Sequence, residues 1–316
     1  MLSDLIFALN TVLPLFLVLL AGYILKKIGF LADGFVPTGN KLVFYVALPC
    51  SIFLSVYNTE IGELLDWGFA LYATGISVLA FLGIWLVASF FIKDKPMLSA
   101  FAQGAFRGNF AFLGMPLLIS LAGEAGQIRA ALIMAFVLPV YNICTVVLLA
   151  ACANTDKKIT PLTILLPLAK NPIIIAVFLA VGFRLIGLSL PISIARTVGY
   201  GGNMATGLAL ICLGAGMRYD GFDAKFKYAF IASLVKVIAL PVIFGLGGYM
   251  LGFRGYDIAA LVILGGIPSA IAGYAMAVEM GADGYVAGTI VALSTLFSAF
   301  TLTIFVYLLR MFGFVG

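Results

Sequence analysis

Lys236 lies where a charged side chain is least expected, in the segment LVKVIALPVIF near the middle of an apolar run over residues 224–251. An ammonium group at the centre of a membrane-spanning helix costs roughly 2.5–3.5 kcal/mol on insertion scales. So costly a charge is expected to serve a function, which makes Lys236 a candidate substrate-binding residue. The alternative is structural: its ammonium binds the carbonyl groups of a broken helix.

Two further segments combine glycine and proline inside apolar runs, GMP at residues 114–116 and GGIP at residues 265–268. Proline lacks a backbone N–H, so each segment is predicted to break its helix. Paired breaks in corresponding spans indicate a solute site, because freed helix ends direct backbone dipoles at the solute. Membrane helices also tolerate glycine and proline without such a role. The residues predicted to make the breaks are Gly114, Pro116, Gly266 and Pro268.

Three polar side chains near these segments could bind a solute. Asn109 lies seven residues before Pro116, so two helical turns place both residues on one face, and its amide can donate to a carboxylate. Ser269 follows Pro268 directly and offers a hydroxyl group, and Asn142 is a further candidate from the next span. The alternative is that these side chains only connect helices, as Asn and Ser often do inside membranes.

The charged side chains indicate the sign of the solute. Lys236 and Arg107 are the cations nearest membrane depth, whereas every carboxylate falls at or near a span end or a connection. A cationic solute would therefore lack a counter-ion, and positive side chains beside helix N-termini favour an organic anion. Arg107 itself is expected to extend along its span to the membrane interface.

The composition is that of a polytopic membrane protein. Hydrophobic residues make up 64% of the 316 residues, charged residues 10%, and the mean hydropathy is +1.19, which excludes a soluble domain with a hydrated surface. The chain has no histidine and no C-x-x-C pair among its four cysteines, so neither a metal nor a cofactor is expected. The P-loop and H-E-x-x-H motifs are missing, so we do not expect an enzyme. The net charge of +5 comes from scattered basic residues, which argues against nucleic acid as a partner.

Ten apolar segments are long enough to cross about 30 Å of hydrocarbon. They lie near residues 5–27, 38–57, 67–92, 97–121, 127–153, 170–189, 192–217, 225–251, 256–280 and 285–311. Lysine and arginine concentrate in the connections after spans one, three, five and seven, so the positive-inside rule makes that side cytoplasmic. This orientation predicts a multi-pass protein of the inner or plasma membrane with both termini extracytoplasmic.

The polar stretch at residues 154–169 divides five predicted spans from five. It is predicted to be a cytoplasmic linker between two repeats, residues 1–153 and 170–316. FLVLLAGYILKKIG (16–29) resembles VFLAVGFRLIG (177–187), and FLGMPLLI (112–119) resembles LGGIPSAI (264–271), each pair in corresponding positions. With five spans per repeat the second copy enters from the opposite side, which predicts inverted-topology repeats.

Four motifs carry a resemblance that covers essentially the full chain: RGNFAFLGMPLL (107–118), NKLVFYVALP (40–49), LVKVIALP (234–241) and GGIPSAIAGYAMA (265–277). They resemble the auxin efflux carrier family, which includes plant auxin exporters and bacterial carriers of malonate or related acids. The resemblance implies ten helices in two inverted five-helix repeats. In this arrangement, broken spans four and nine cross. Spans one, two, six and seven form a scaffold, and spans three to five and eight to ten form an elevator-like transport unit.

The resemblance also implies site residues. Asn109 would contact the substrate carboxylate, and Pro116 and Pro268 would lie at the crossover. The chain departs from the plant branch in two ways: the long central loop is absent, and Ser269 stands where those carriers tend to have glutamine, which puts auxin itself in doubt.

We therefore expect an all-α secondary transporter of a small mono- or dicarboxylate. The expected substrate-binding residues are Asn109, Ser269, Asn142 and Lys236, with no cofactor. The expected partners are a small organic anion and the lipid bilayer, and a homodimer is allowed. One alternative is a sodium- or proton-coupled anion symporter, as in the bile-acid and antiporter relatives of this architecture, which uptake insensitive to sodium would argue against. The others are a non-transporting membrane sensor and a membrane-embedded enzyme.

Overall fold

A computed structural model describes residues 2–58, 66–152, 172–216, 225–270, 273–274, 277 and 280–315, so the predicted linker at 154–169 lies outside the described residues. Within these ranges the chain is helical apart from short connections and contains no strand, which confirms the all-α class. The α-helices in chain order are α1 (Leu2–Lys27), α2 (Phe35–Leu42), α3 (Leu48–Asn58), α4 (Trp67–Phe91), α5 (Lys95–Phe106), α6 (Met115–Leu132), α7 (Leu138–Cys152), α8 (Pro172–Leu185), α9 (Ile192–Ala215), α10 (Phe226–Leu234), α11 (Leu240–Met250), α12 (Tyr256–Gly266) and α13 (Gly284–Met311).

Six stretches in the described part of the chain are long and apolar enough to cross a membrane. They are Ser3–Lys27, Trp67–Phe91, Phe110–Leu149, Ile192–Ala215, Phe226–Met250 and Gly284–Met311. In the third stretch, Gly123 has φ of 54° and ψ of −129°, so the predicted spans four and five meet at this residue. These stretches fit a multi-pass membrane protein, and the ten-span inverted repeat stays a prediction.

In the described part of the chain, four π-helical turns of five residues each lead directly into an α-helix, and each ends two residues before a proline. The turns are Val43–Ala47, Phe110–Gly114, Ile133–Val137 and Val235–Ala239, and the prolines are Pro49, Pro116, Pro139 and Pro241. After each turn, the backbone N–H of the next residue donates to the carbonyl group five residues earlier. Proline clashes with the carbonyl group four residues before it, so widening the preceding turn keeps the helix continuous.

This geometry corrects the predicted position of the break in span four. Gly114 has helical φ and ψ of −65° and −48°, and Pro116 lies in the first turn of α6. The interruption comes earlier, where α5 ends at Phe106 and Arg107 is extended with φ of −82° and ψ of 105°. A π-turn accommodates Pro116, so this proline does not break the helix.

The interruption in span nine lies where the sequence predicts it. Helix α12 ends at Gly266, and Ile267 is extended with φ of −62° and ψ of 147°. Pro268 therefore lies inside the interruption, whereas Pro116 lies inside the helix that resumes after its own interruption. The two prolines are not structurally equivalent, and the predicted pairing of GMP with GIP is wrong in this respect.

The two interruptions pair with each other. The backbone N–H of Asn109 donates to the carbonyl oxygen of Pro268 at 2.8 Å, and the N–H of Ala270 donates to that of Arg107 at 3.2 Å. Gly108 and Ser269 form an antiparallel bridge between these hydrogen bonds. Because unpaired backbone groups cost several kcal/mol in a lipid environment, each interrupted segment supplies the partners that the other needs.

The helices pack in two groups. Helices α1 to α3, α8 and α9 form the first group, and α4 to α7 pack with α10 to α13 in the second. Between the groups, α1 contacts α13, α3 contacts α6, and α9 contacts the π-turn Phe110–Gly114. The paired interruptions at residues 107–109 and 267–270, here called the crossover, therefore lie in the second group, with the π-turn Phe110–Gly114 against the first.

A cluster of three charged residues connects the starts of two helices with the end of a third. Arg129 on α6 contacts Asp66 at 2.9 Å and Asp257 at 2.6 Å, and its guanidinium lies 5.0 Å from the Phe69 ring centre. Asp66 also caps α4 by accepting a hydrogen bond from the Phe69 N–H at 3.0 Å. The three charged side chains are 20–32% exposed, so water screens the cluster only in part.

Replacing Arg129 with Met should destabilise the protein, because two half-buried carboxylates lose their shared cation. We expect a loss of roughly 2 kcal/mol, below the range for fully buried pairs because this cluster is partly hydrated. The measurement is thermal unfolding in detergent. Arg196→Met on α9 is the matched control, since Arg196 is exposed. Equal unfolding temperatures for the two variants would contradict the stabilising role of the cluster.

Gly265 permits a close approach of α12 to α11. A Cβ atom at this position would lie 2.7 Å from the backbone nitrogen of Pro241 and 2.8 Å from the carbonyl group of Leu240. Gly265→Ala should therefore cost roughly 1–3 kcal/mol, because backbone atoms must move. In Gly83→Ala the new methyl group meets no atom within 4 Å, so this variant should unfold at the wild-type temperature or slightly above. A wild-type unfolding temperature for Gly265→Ala would refute the close-packing argument.

Candidate functional site

A cavity of about 330 Å³ lies beside the crossover, between the two groups of helices. Helix α2 and the π-turn after it form one wall, residues 107–112 form the opposite wall, and α7 and α9 complete it. The lining residues are Asn40, Lys41, Phe44, Tyr45, Arg107, Gly108, Asn109, Phe110, Ala111, Phe112, Leu138, Tyr141, Asn142, Leu213 and Ala270. The cavity thus brings together Asn109 and Asn142, two of the four predicted substrate-binding residues.

The resumed helix of span four begins in the cavity wall. Its first intrahelical hydrogen bond runs from the N–H of Leu113 to the carbonyl oxygen of Asn109 at 3.1 Å. The N–H groups of Phe110, Ala111 and Phe112 precede that bond, so the geometry of a helix start leaves them without intrahelical acceptors. All three residues line the cavity, and a helix N-terminus favours negative charge.

Asn109 lies at the junction of the extended segment and this helix start. The residue is 6% exposed and lines the cavity. Asparagine at this position could cap the helix, yet its side chain makes no capping hydrogen bond to the turn that follows. Its side chain is therefore not engaged in capping this helix.

Arg107 also lines the cavity, which the sequence analysis did not predict. One guanidinium nitrogen donates to Asn142 Oδ1 at 2.8 Å, and another donates to Thr145 Oγ1 at 3.3 Å. Both partners lie on α7, so Arg107 is held inside the protein and does not extend to the membrane interface. Arg107 directly precedes Gly108, where two helical segments separate. This position is the sequence signal that could have identified it as a cavity residue.

Asn142 is oriented by Arg107. Because its Oδ1 accepts the guanidinium hydrogen bond, its Nδ2 group remains on the other side of the amide as a donor. The hydrogen bond thus sets the amide orientation of Asn142, which lines the cavity.

The other two predicted substrate-binding residues lie outside this cavity lining. Ser269 is 4% exposed, its backbone N–H donates to Ser294 Oγ at 3.0 Å, and it lines a separate space of about 10 Å³ together with Arg107. Lys236 is fully buried, and its Nζ donates to the carbonyl oxygen of Gly265 at 2.6 Å. This contact matches the structural alternative for Lys236, in which the ammonium binds carbonyl groups of a broken helix.

The electrostatics of the cavity favour an anion. Lys41 and Arg107 supply two cations, and the described lining contains neither aspartate nor glutamate. In the part of the chain that the structure describes, no group of three or more His, Cys, Asp or Glu side chains could hold a metal ion. A carboxylate in this cavity could accept hydrogen bonds from the helix start and from amide donors, and charge-assisted hydrogen bonds of this kind are stronger than neutral ones.

Several relatives resemble the chain over most of its length. An uncharacterized transporter of Methanothermobacter thermautotrophicus is 26% identical over 298 residues, covering 93% of this chain and 95% of the relative. A Rhizobium meliloti protein provisionally named a malonate transporter is 25% identical over 310 residues, covering 95% of each chain. The uncharacterized transporter YfdV of Escherichia coli is 23% identical over 312 residues, covering 96% of this chain and 98% of the relative.

All three relatives are named as transporters and none as an enzyme, in agreement with the expectation from the missing catalytic motifs. A family model described as membrane transport protein matches residues 7–162 and 157–306. These residues cover nearly the whole chain. The chain therefore belongs to the membrane transport protein family, the auxin efflux carrier-like family that its four motifs resemble.

Proposed function

We propose that this membrane transporter carries a small organic anion, a mono- or dicarboxylate, through the cavity beside the crossover. The observation that carries the proposal is the cavity lining: Lys41, Arg107 and a helix N-terminus, with no acidic side chain among the described lining residues. A volume of about 330 Å³ is within the range of small-molecule sites. The relative named for malonate supports a carboxylate as the solute class.

In the bound state, the substrate carboxylate accepts hydrogen bonds from the Asn109 amide and from the N–H groups at the start of the π-turn. Arg107 balances the charge while its hydrogen bond to Asn142 holds the guanidinium in place. Aromatic side chains and Leu213 provide apolar contacts for the rest of the solute. Lys41 lies at the exposed part of the wall, where it attracts anions toward the cavity.

The two groups of helices support an elevator-type mechanism. Helices α1 to α3, α8 and α9 correspond to the predicted scaffold, and the remaining helices correspond to the predicted transport unit. The cavity lies between them, since α2 and α9 belong to the first group and residues 107–112 to the second. In this mechanism the second group carries the crossover and the bound anion across the membrane along the first.

Ten spans in two inverted repeats complete the proposal. Both termini are extracytoplasmic, and the connections on the opposite side of the membrane face the cytoplasm. Ion pairs between distant elements support the relative sidedness. Arg310 contacts Asp4 at 3.2 Å, and both lie on the predicted outer side. Lys225 contacts Asp283 at 2.6 Å, and both lie on the predicted cytoplasmic side.

The direct test is substrate-dependent current in proteoliposomes that contain the purified protein. A panel of mono- and dicarboxylates is applied with sodium and pH gradients imposed or absent. We expect current with one or more small carboxylates and no current with small organic cations. Absence of current and of radiolabelled uptake for the whole panel would overturn the proposed substrate class, and a strict need for a sodium gradient would favour the symporter alternative.

Asn109→Ala should weaken transport without unfolding the protein. A hydrogen bond to a charged group contributes roughly 1.5–3 kcal/mol, so the KM for the carboxylate should rise about 10- to 100-fold. The control is Asn203→Ala on α9, because Asn203 is exposed. Uptake kinetics are measured for both variants at matched protein levels in vesicles. Unchanged kinetics for Asn109→Ala would remove this residue from the site.

Arg107→Gln removes the cation from the cavity wall, whereas Arg107→Lys keeps it. We expect uptake by the Gln variant to fall roughly 10- to 100-fold. The Lys variant should recover only part of this loss, because an ammonium group keeps the charge but not the fork geometry of the guanidinium. Arg184→Gln near the end of α8 serves as the control, since Arg184 is exposed. Equal uptake by the Gln and wild-type proteins would contradict the role of Arg107 as counter-charge.

A further inference from the structure

Lys236 is the fully buried cation of the crossover region. Its side chain starts in the π-turn Val235–Ala239, and its Nζ lies 2.6 Å from the carbonyl oxygen of Gly265 and 3.4 Å from that of Leu264. A Cβ atom built on Gly108 would lie 3.1 Å from the same Nζ, so the ammonium also abuts the other interrupted segment. The ammonium group therefore lies between the two broken helices.

The carbonyl groups that Lys236 contacts are those of a helix C-terminus. Helix α12 ends at Gly266, so the carbonyl groups of Leu264 and Gly265 in its last turn have no intrahelical donors and lie at the negative end of the helix dipole. In transporters with broken helices, such half-helix C-termini are the groups that coordinate a coupling cation. The end of α12 thus has the chemistry of a cation site, and a side chain of the same protein fills it.

We propose that the Lys236 ammonium takes the place of a bound monovalent cation at the C-terminus of α12, so that removing this side chain exposes a site for sodium or a small ammonium ion. The inference rests on the proposed function, because it assigns the charge that stabilises the crossover during transport. The two interrupted spans then bind groups of opposite charge. The helix start at Phe110 accepts the anion, and the helix end at Gly266 keeps a covalently attached cation.

A purely structural role for Lys236 would give different effects of substitution. If Lys236 only fills space and pins α12, then any substitution that removes the ammonium should impair the protein equally in every salt. If its charge replaces a cation, a shortened side chain should leave a space that a small cation can enter. An uncharged side chain of similar length should leave none.

The experiment compares Lys236→Ala, Lys236→Met and wild type, with Lys227→Ala on α10 as the control because Lys227 is exposed. Thermal unfolding in detergent is measured in sodium chloride, methylammonium chloride and choline chloride at equal ionic strength. We expect Lys236→Ala to unfold about 2 °C or more higher in sodium or methylammonium than in choline, saturably with concentration. For wild type, Lys227→Ala and Lys236→Met, the unfolding temperature of each protein should be the same in all three salts.

Uptake in proteoliposomes gives the second measurement. Lys236→Ala should transport on the order of 10-fold more slowly than wild type in choline, and sodium or methylammonium should restore much of that rate. Lys236→Met should stay slow in every salt. Equal responses of the Ala and Met variants to the three cations would overturn the proposal and leave Lys236 a structural contact.

Two outcomes separate this inference from the proposed function. The unfolding temperatures test whether the cation site exists even if no tested carboxylate is transported. The lack of transport would contradict only the proposed function. If Lys236→Ala does not accumulate in membranes, wild type still tests the proposal, because its filled site should make uptake independent of sodium. Wild-type uptake that requires a sodium gradient would overturn the inference while leaving an anion transporter in place.

Discussion

The reciprocal backbone hydrogen bonds between Asn109 and Pro268 and between Ala270 and Arg107 are the constraint on which the rest of the structure depends. An interrupted helix inside an apolar protein leaves polar backbone groups that lipid cannot satisfy. Either interruption alone would leave backbone groups unpaired at a large free-energy cost. Together, each interruption supplies the hydrogen-bond donors and acceptors that the other lacks. This pairing fixes the start of the π-turn at Phe110 and the end of α12 at Gly266 within one small region.

Opposite helix ends at one crossover create two different electrostatic environments. The start of the resumed helix, Asn109 and Arg107 form a wall that favours a negative charge, while the end of α12 favours a positive one. Lys236 satisfies the second requirement by contacting the carbonyl groups of Gly265 and Leu264. The proposed anion site therefore needs few polar side chains, because backbone dipoles contribute to its field.

Sequence patterns predicted the fold class and the general place of the site, but not its details. Apolar runs and the GGIP segment were sufficient for an all-α membrane protein with a break near Pro268. Asn109 lines the cavity, and its contact with a substrate stays a prediction. The break near Pro116 was misplaced because a proline inside a helix can be accommodated by a π-turn, and single-chain patterns do not distinguish a π-turn from a full interruption. Arg107 was missed because the sequence does not show that Asn142 and Thr145 on another helix hold its guanidinium.

The most direct test of the account locates a substrate analogue. A structure of the protein with a bromine-substituted small dicarboxylate, solved with anomalous data, would show where the anion binds. The account predicts a carboxylate within hydrogen-bonding distance of the Asn109 side chain and of the backbone N–H groups at the start of the π-turn, with Arg107 nearby. An anion bound at a site that excludes residues 107–112, while transport of the same compound is demonstrated, would contradict it.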